Sequence, residues 1–391
     1  MRTPQTAHRR SRRLFTTLAA GVALCALTAC GTATPAPAPT RTASAAPTTV
    51  FDDAALQAAL DDTLEAGGFP GVVARVITAG GSWDGAAGAT EEGGSTLPTA
   101  KDHTRIGSVT KTMTATLLLQ LVEEGEVSLD DPVSKYVPEL PNGEATLRQA
   151  ADMTSGIPSY TLDDMLVDEY LADPTRSWTT AELLDDVRTL EPSFDPGEGW
   201  EYSDSNYLVI GAVIEQVTGQ PLAQAFEERL FAPLGMTETS YPTTNALPEP
   251  FLSGSTMQGS PDGDPQDATR FDPSFTGAAG GVVSTLDDLE KWAHALFTGD
   301  GILDEKTQQL RRDSILTSPL PNTPISGYGI GIANHDGWWG HTGELPGYST
   351  AVFHDDDLDT TIIVVVNSDI ALDSGVAPAP AVLAALQAAL R

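Results

Sequence analysis

Residues 105–111 read RIGSVTK, with Ser108 and Lys111 three positions apart where a helix is predicted to begin. Apolar side chains then recur at positions 109, 113, 117 and 121, which is helical spacing. Because residues three apart share a helix face, the Lys111 amine can reach the Ser108 hydroxyl. A base beside a serine makes a nucleophile, and backbone N–H groups at a helix N-terminus can stabilise an oxyanion. The pair is equally compatible with a capping serine and a surface lysine.

A second polar cluster precedes the predicted helix in residues 200–219, WEYSDSNYLVIGAVIEQVTG. Tyr202, Ser203 and Asp204 lie just before its amphipathic part. A phenol, with a reference pKa of about 10, becomes a usable base only beside a cation that lowers its pKa. Lys111 is the candidate cation. The alternative is that the tyrosine packs against the helix or that Ser205 caps it.

A third motif, His341-Thr342-Gly343, lies within residues 338–353, WWGHTGELPGYSTAVF. A small glycine lets a ligand lie against a strand edge, where Thr342 and backbone N–H groups can bind an extended acyl substrate. Taken singly, such a tripeptide is usually part of an ordinary strand or turn. The three motifs together therefore indicate more than any one of them.

Strand-like patterns occur near both ends of the chain. Residues 51–68 have helical periodicity and end at a glycine pair, and residues 70–81 then alternate like a strand. Two further strand-like runs, 349–357 and 360–369, precede a helical C-terminus. We therefore predict an α/β (α+β) fold in which N- and C-terminal strands form an antiparallel sheet, flanked by helices, with a mostly helical region inserted. The predicted domain covers 51–391, with 51–107 and 270–391 in the sheet part and 108–269 in the helical part.

The first fifty residues are predicted to direct export. Five arginines precede the apolar run 14–30, which is too short to span a bilayer, so residues 1–29 resemble a signal peptide with a twin-arginine-like pattern. Leu27 to Cys30, LTAC, resembles a lipoprotein cleavage box that would leave Cys30 lipidated. Residues 30–50, rich in Pro, Ala and Thr, then read as a membrane tether. An ordinary secretory signal with a chance cysteine is the alternative.

The charge balance argues against nucleic acid as a partner. The formal net charge is −33, and without the five signal-peptide arginines 16 basic residues face 54 acidic ones, a net charge of −38. Such a surface repels polyanions and keeps an exported protein soluble. The six histidines show no metal-binding spacing, so neither a metal nor a cofactor is expected. A monomer acting on a small peptide or acyl substrate is expected.

The three motifs, S-V-T-K at 108–111, Y-S-D at 202–204 and H-T-G at 341–343, resemble those of the penicillin-recognising serine hydrolases. That family comprises D-alanyl-D-alanine carboxypeptidases, class C β-lactamases and related esterases. The resemblance extends from about residue 51 to 369. It implies that Ser108 is acylated, that Lys111 shares its proton and lowers the pKa of Tyr202, and that Tyr202 acts as general base and then general acid. The backbone N–H groups of Ser108 and Glu344 would form the oxyanion hole, while His341 and Thr342 would hold the substrate.

Two departures from the family pattern bear on the substrate. Asp204 replaces a common asparagine, so a hydrogen-bond donor to substrate carbonyls is lost. His341 replaces a common lysine and, with a reference pKa near 6.5, is expected to be only partly charged. The leading hypothesis is an exported D-alanyl-D-alanine carboxypeptidase. The alternatives are an esterase, D-amino-amidase or β-lactamase on the same residues, and, more remotely, a penicillin-binding sensor without turnover.

Overall fold

The computed structural model describes residues 51–391. The predicted signal peptide (1–29), the tether (30–50) and the acylation site Cys30 lie outside the described residues. Within residues 51–391, strands from near both ends form one antiparallel sheet of seven strands, in the order β2-β1-β11-β10-β9-β8-β7. These strands are β1 (Gly71–Thr78), β2 (Gly81–Gly88), β7 (Ser326–Tyr328), β8 (Ala333–His335), β9 (Trp338–Leu345), β10 (Tyr348–Asp355) and β11 (Thr360–Val366).

Helices surround this sheet and fill the segment between its two groups of strands. They are α1 (Asp53–Gly67), α2 (Thr110–Glu123), α3 (Leu147–Ala151), α4 (Asp164–Ala172), α5 (Thr180–Val187), α6 (Asp204–Thr218), α7 (Leu222–Phe226), α8 (Ala232–Leu234), α9 (Leu286–Thr298), α10 (Glu305–Asp313) and α11 (Pro378–Ala389). Two short strand pairs complete the structure. They join β3 (Thr104–Arg105) to β6 (Val283–Ser284) and β4 (Ser255–Thr256) to β5 (Gln266–Asp267).

The central strands are buried on both faces. Val364 and Val366 of β11 belong to an apolar cluster with α1 and α11, whereas Ile363 and Val365 pack into the larger core of the helical region. Since neighbouring side chains point to opposite faces, a strand covered on both faces must be apolar at nearly every position. This explains the unbroken apolar run IIVVV in β11.

The first helix ends at the predicted glycine pair and begins at an aspartate N-cap. The Asp52 side chain accepts a hydrogen bond from the Ala54 N–H, and Gly68 ends the helix with a φ of 63°. An aspartate N-cap and a left-handed glycine C-cap satisfy backbone groups that the helix leaves unpaired. α1 and α11 together cover the outer face of the sheet.

α2 runs through the middle of the core. Nearly all of its side chains are buried, from Thr110 to Leu121, including four threonines and Lys111. A helix buried all round has no solvent-facing stripe. The first turn of α2 lies against β9, at the candidate site.

The predicted fold class is confirmed, since a large antiparallel sheet with flanking helices encloses a helical region. The division at residues 108 and 270 stays a prediction. Over residues 51–391, none of the helices combines the length and the apolar character that crossing a membrane requires.

Candidate active site

Ser108 lies on a single 3-10 turn, Gly107–Val109, that leads into α2. The predicted helix thus begins two residues later, at Thr110. Gly107 has a φ of 52°, and a Cβ atom there would lie 2.6 Å from the backbone nitrogen of Glu344. Only glycine can adopt this conformation and allow this approach without strain.

Gly343 makes the reciprocal approach from β9. A Cβ atom on Gly343 would lie 1.9 Å from the Ile106 carbonyl oxygen and 3.1 Å from the Ser108 nitrogen. The two glycines therefore allow the β9 backbone to lie directly against the Ser108 turn. This brings together the two backbone N–H groups, of Ser108 and Glu344, that the resemblance implies for an oxyanion hole.

The Lys111 amine makes three hydrogen bonds. Its Nζ donates to Ser108 Oγ at 2.9 Å, to Asp204 Oδ1 at 2.5 Å and to the Ala279 carbonyl oxygen at 2.9 Å. The side chain is fully buried, and burial lowers its pKa, an effect that the Asp204 carboxylate opposes. The predicted contact between Ser108 and Lys111 is present. Ala279 was not foreseen, because a backbone acceptor has no sequence signature.

Asp204 pairs with Lys111, a contact that the sequence analysis did not predict, and its role as a substrate ligand stays a prediction. Its Oδ1 contacts Lys111, and its Oδ2 accepts a hydrogen bond of 3.3 Å from the Thr161 hydroxyl. The Ser159 hydroxyl accepts from the Asp204 N–H at 3.1 Å. Both carboxylate oxygens thus have protein partners.

Tyr202 completes the centre. Its ring centroid lies 4.8 Å from Lys111 Nζ, and its hydroxyl is close enough to Ser108 for that side chain to influence its pKa. Burial raises the pKa of Tyr202 well above 10, and the nearby Asp204 charge raises it further. The overall shift is therefore opposite to the lowered pKa that was expected beside Lys111, and the Tyr202 phenol keeps its proton.

His341 is almost fully buried, at 4% exposure. Its Nδ1–H donates to the Thr342 carbonyl oxygen at 2.5 Å, and its Nε2 accepts from the Tyr328 hydroxyl at 3.0 Å. Burial, assisted by the Lys111 charge, lowers the pKa of His341 to about 3. The side chain is neutral at physiological pH, so the expectation of partial charge is wrong. Tyr328 was missed, because its contact with His341 depends on β8, which pairs with β7 on one side and with β9 on the other.

The predicted site residues converge on one region. Ser108, Lys111, Tyr202 and Asp204 are linked directly, and the His341 ring centroid lies 6.2 Å from that of Tyr202. Thr342 and Glu344 are half-buried on β9 beside the turn. Among residues 51–391, no three His, Cys, Asp or Glu side chains meet in a way that could hold a metal ion.

At the junction of the sheet and the helical region, a serine is hydrogen-bonded to a buried lysine and lies beside a tyrosine. This arrangement is typical of the acyl-transfer sites of penicillin-recognising proteins. The beta-lactamase family model matches residues 56–387. The chain therefore belongs to the beta-lactamase family of serine acyl-transferases and hydrolases.

Three relatives illustrate the range of this family. The chain is 30% identical over 248 residues to the putative penicillin-binding protein PbpX of Bacillus subtilis, covering 62% of this chain and 56% of that protein. The D-stereospecific amidohydrolase from Streptomyces sp. is 34% identical, with a TM-score of 0.76 over 85% of this chain and 98% of the other. The D-amino acid amidase of Ochrobactrum anthropi SV3 is 28% identical, with a TM-score of 0.74 over 87% and 99%. The chain spans about half the length of the curated relatives it matches.

Proposed function

We propose that this protein is a serine hydrolase that forms an acyl-enzyme on Ser108. The observation that carries the proposal is the 2.9 Å contact between Ser108 Oγ and Lys111 Nζ in a buried centre that also holds Tyr202. Of the three partners of Nζ, Ser108 is the one with a proton to give. When Lys111 is in its amine form, it can therefore take the proton of Ser108 as Oγ attacks a carbonyl carbon.

The elevated pKa of Tyr202 suits it to the second proton transfer. As the tetrahedral intermediate collapses, the phenol gives its proton to the departing amine or alcohol and recovers one from the Lys111 ammonium. The N–H groups of Ser108 and Glu344 would stabilise the oxyanion, at about 3–4 kcal/mol per donor. Water then cleaves the ester on Ser108 and restores the free enzyme.

For the substrate, we favour D-aminoacyl amides and esters that lack a terminal carboxylate. His341 stands where many relatives have lysine, and it is buried and neutral. No Lys or Arg occurs between residues 313 and 390, the segment that supplies β7 to β11. A carboxylate bound there would lose hydration without gaining a cation. The names of the amidohydrolase and the amidase support the same substrate class.

Cleavage of D-alanyl-D-alanine peptides of the cell wall is the second candidate. It is supported by the His-Thr-Gly motif, which some carboxypeptidases share, and by the relative named as a putative penicillin-binding protein. A sensor that acylates without turnover would use the same residues. The rate at which the Ser108 adduct breaks down distinguishes a sensor from an enzyme.

A substrate panel tests these candidates. Wild type, Ser108→Ala and the exposed control Ser177→Ala would be assayed with a D-amino acid amide, an aryl ester, a D-Ala-D-Ala peptide and a cephalosporin. We expect amide and ester turnover in wild type and control, and a loss of at least about a thousandfold in Ser108→Ala. Release of D-Ala as the dominant activity would favour the carboxypeptidase. Turnover that survives in Ser108→Ala would contradict the proposal.

We also propose that the protein is exported and anchored by a lipid on Cys30. The proposal rests on the arginine-rich apolar segment, the LTAC box and the proline-rich stretch that follows. Cells fed a labelled fatty acid should label the wild-type protein and a Cys25→Ser control, but not Cys30→Ser. Equal labelling of all three proteins would refute the assignment.

A further inference from the structure

Met153 has a backbone conformation that is unusual for its residue type. Its φ is 69°, in the left-handed region that residues with large side chains rarely adopt. The residue lies two positions after the end of α3 and is fully buried. It belongs to none of the three motifs, and the acyl-transfer steps described above do not involve it. A strained residue of this kind persists only where the contacts around it hold it in place.

Met153 accepts hydrogen bonds from the chain on both sides of Tyr202. Its carbonyl oxygen accepts from the Glu201 N–H at 3.2 Å. Its Sδ atom accepts from the Ser203 N–H at 3.4 Å. The main chain and the side chain of one residue therefore hold both neighbours of the phenol that we assign as general acid.

The thioether has a second donor at the start of α6. Asn206 Nδ2 lies 3.4 Å from the same sulfur, and Asn206 Oδ1 accepts from the Ser155 hydroxyl at 2.6 Å. Ser203 is the N-cap residue of α6, but its side chain does not cap the helix. If a carbon atom replaced the sulfur, two buried N–H groups would lose their acceptor or the segment would have to move.

Tyr202 depends on these contacts because it lies outside the hydrogen-bonding ladder of a helix. α6 begins at Asp204, and residues 200–203 belong to no helix or strand. A general acid works only when its proton lies within hydrogen-bonding distance of the group that receives it. A small displacement of this segment would therefore separate the phenol from the leaving group.

We propose that Met153 is a positioning residue that holds Tyr202 within reach of the leaving group. The inference rests on the proposed hydrolase function and deepens it. Its consequence is selective: loss of the sulfur should impair cleavage of substrates whose leaving group must be protonated, and should spare substrates whose leaving group departs as an anion.

Two substrates with the same acyl group test the proposal. In D-alaninamide the leaving amine needs a proton, whereas in D-alanine p-nitrophenyl ester the phenolate leaves without one. We would measure kcat/KM for both in wild type, Met153→Leu and Met153→Gly, with another buried methionine, Met236→Leu, as control. Both Met153 variants should lower the amide-to-ester ratio by about ten- to a hundredfold, since general acid catalysis contributes about 10²- to 10⁴-fold. Met236→Leu should leave the ratio unchanged.

The two Met153 variants complement each other. Leucine keeps an apolar side chain of similar size but has no acceptor. Glycine adopts a positive φ without strain, so Met153→Gly provides the measurement if Met153→Leu does not fold. An equal loss on both substrates, or no loss, would refute the proposal, because Met153 would then be a structural residue only.

A double-mutant cycle tests whether Met153 acts through Tyr202. In a Tyr202→Phe background, Met153→Leu should leave the amide-to-ester ratio unchanged, because the phenol that it positions is already absent. A further fall in the ratio would refute the proposal. If wild type cleaves no substrate of the panel described above, the hydrolase function itself fails, which is a different result.

Discussion

The protonation of Lys111 depends on burial and on one charged neighbour, Asp204. Burial favours the neutral amine, whereas the 2.5 Å contact with Asp204 favours the ammonium. An asparagine at position 204 would keep an acceptor beside Nζ but remove the charge. The aspartate thus determines how much Lys111 is in the basic form at a given pH.

Asp204→Asn should therefore shift the pH dependence of acylation. Without the carboxylate, burial acts unopposed, the pKa of Lys111 falls, and the acid limb of kcat/KM for a neutral aryl ester moves to lower pH. Thr161→Val is the matched control, because it removes the 3.3 Å hydrogen bond to Asp204 Oδ2 but not the charge. An acid limb that stays in place, or moves to higher pH, would contradict this account of the pair.

At the scale of elements, the site depends on how closely β9 approaches the turn before α2. The strand supplies one oxyanion donor and the turn supplies the nucleophile with the other donor. This approach is possible because residues 107 and 343 are glycines. Any side chain at either position would collide with the opposite backbone. Neither element forms an oxyanion hole alone.

Gly343→Ala should separate the two elements. Its methyl group would fall 1.9 Å from the Ile106 carbonyl oxygen, so β9 must move away and the Glu344 N–H leaves its position. We expect acylation of Ser108 by a labelled penicillin or aryl ester to slow by about a hundredfold or more, with melting still cooperative. Gly68→Ala, at the C-cap of α1, has no atom within 4 Å of the new methyl group and should cost about 1 kcal/mol without slowing acylation. Equal rates in the two variants would show that the approach is not needed.

At the scale of the molecule, the sheet joins strands that are far apart in sequence. β1 pairs with β11 along its length, from Val72 opposite Val366 to Thr78 opposite Thr360. Arg75 adds a polar link on the inner face. Its guanidinium contacts Asp84 on β2 at 2.6 Å, and Asp287 and Glu290 on α9 at 3.0 and 2.5 Å. One cation therefore holds three carboxylates, from both parts of the chain, next to the sheet.

Arg75→Met should destabilise the folded protein by about 1–3 kcal/mol, because three neighbouring carboxylates lose their shared cation. The loss should shrink at 1 M salt, which screens repulsion among these half-exposed acids. Arg188→Met, which removes an exposed pair with Asp185, should cost less than about 1 kcal/mol. Urea unfolding of both variants at low and high salt checks the difference. Equal losses at both salt concentrations would exclude the electrostatic explanation.

Local patterns in the sequence predicted the fold class and three residues that the structure brings together. Periodicity placed helices and strands, glycines marked the ends of α1 and α6, and the three motifs identified Ser108, Lys111 and Tyr202, because these features depend on residues near one another in the chain. The protonation states of the site residues could not be predicted from local sequence patterns. Only the tertiary structure showed that Tyr202 keeps its proton, that His341 is neutral and bonded to Tyr328, and that Asp204 pairs with Lys111. A pKa is fixed by burial and by charges brought from distant segments, and neither is written in the local sequence.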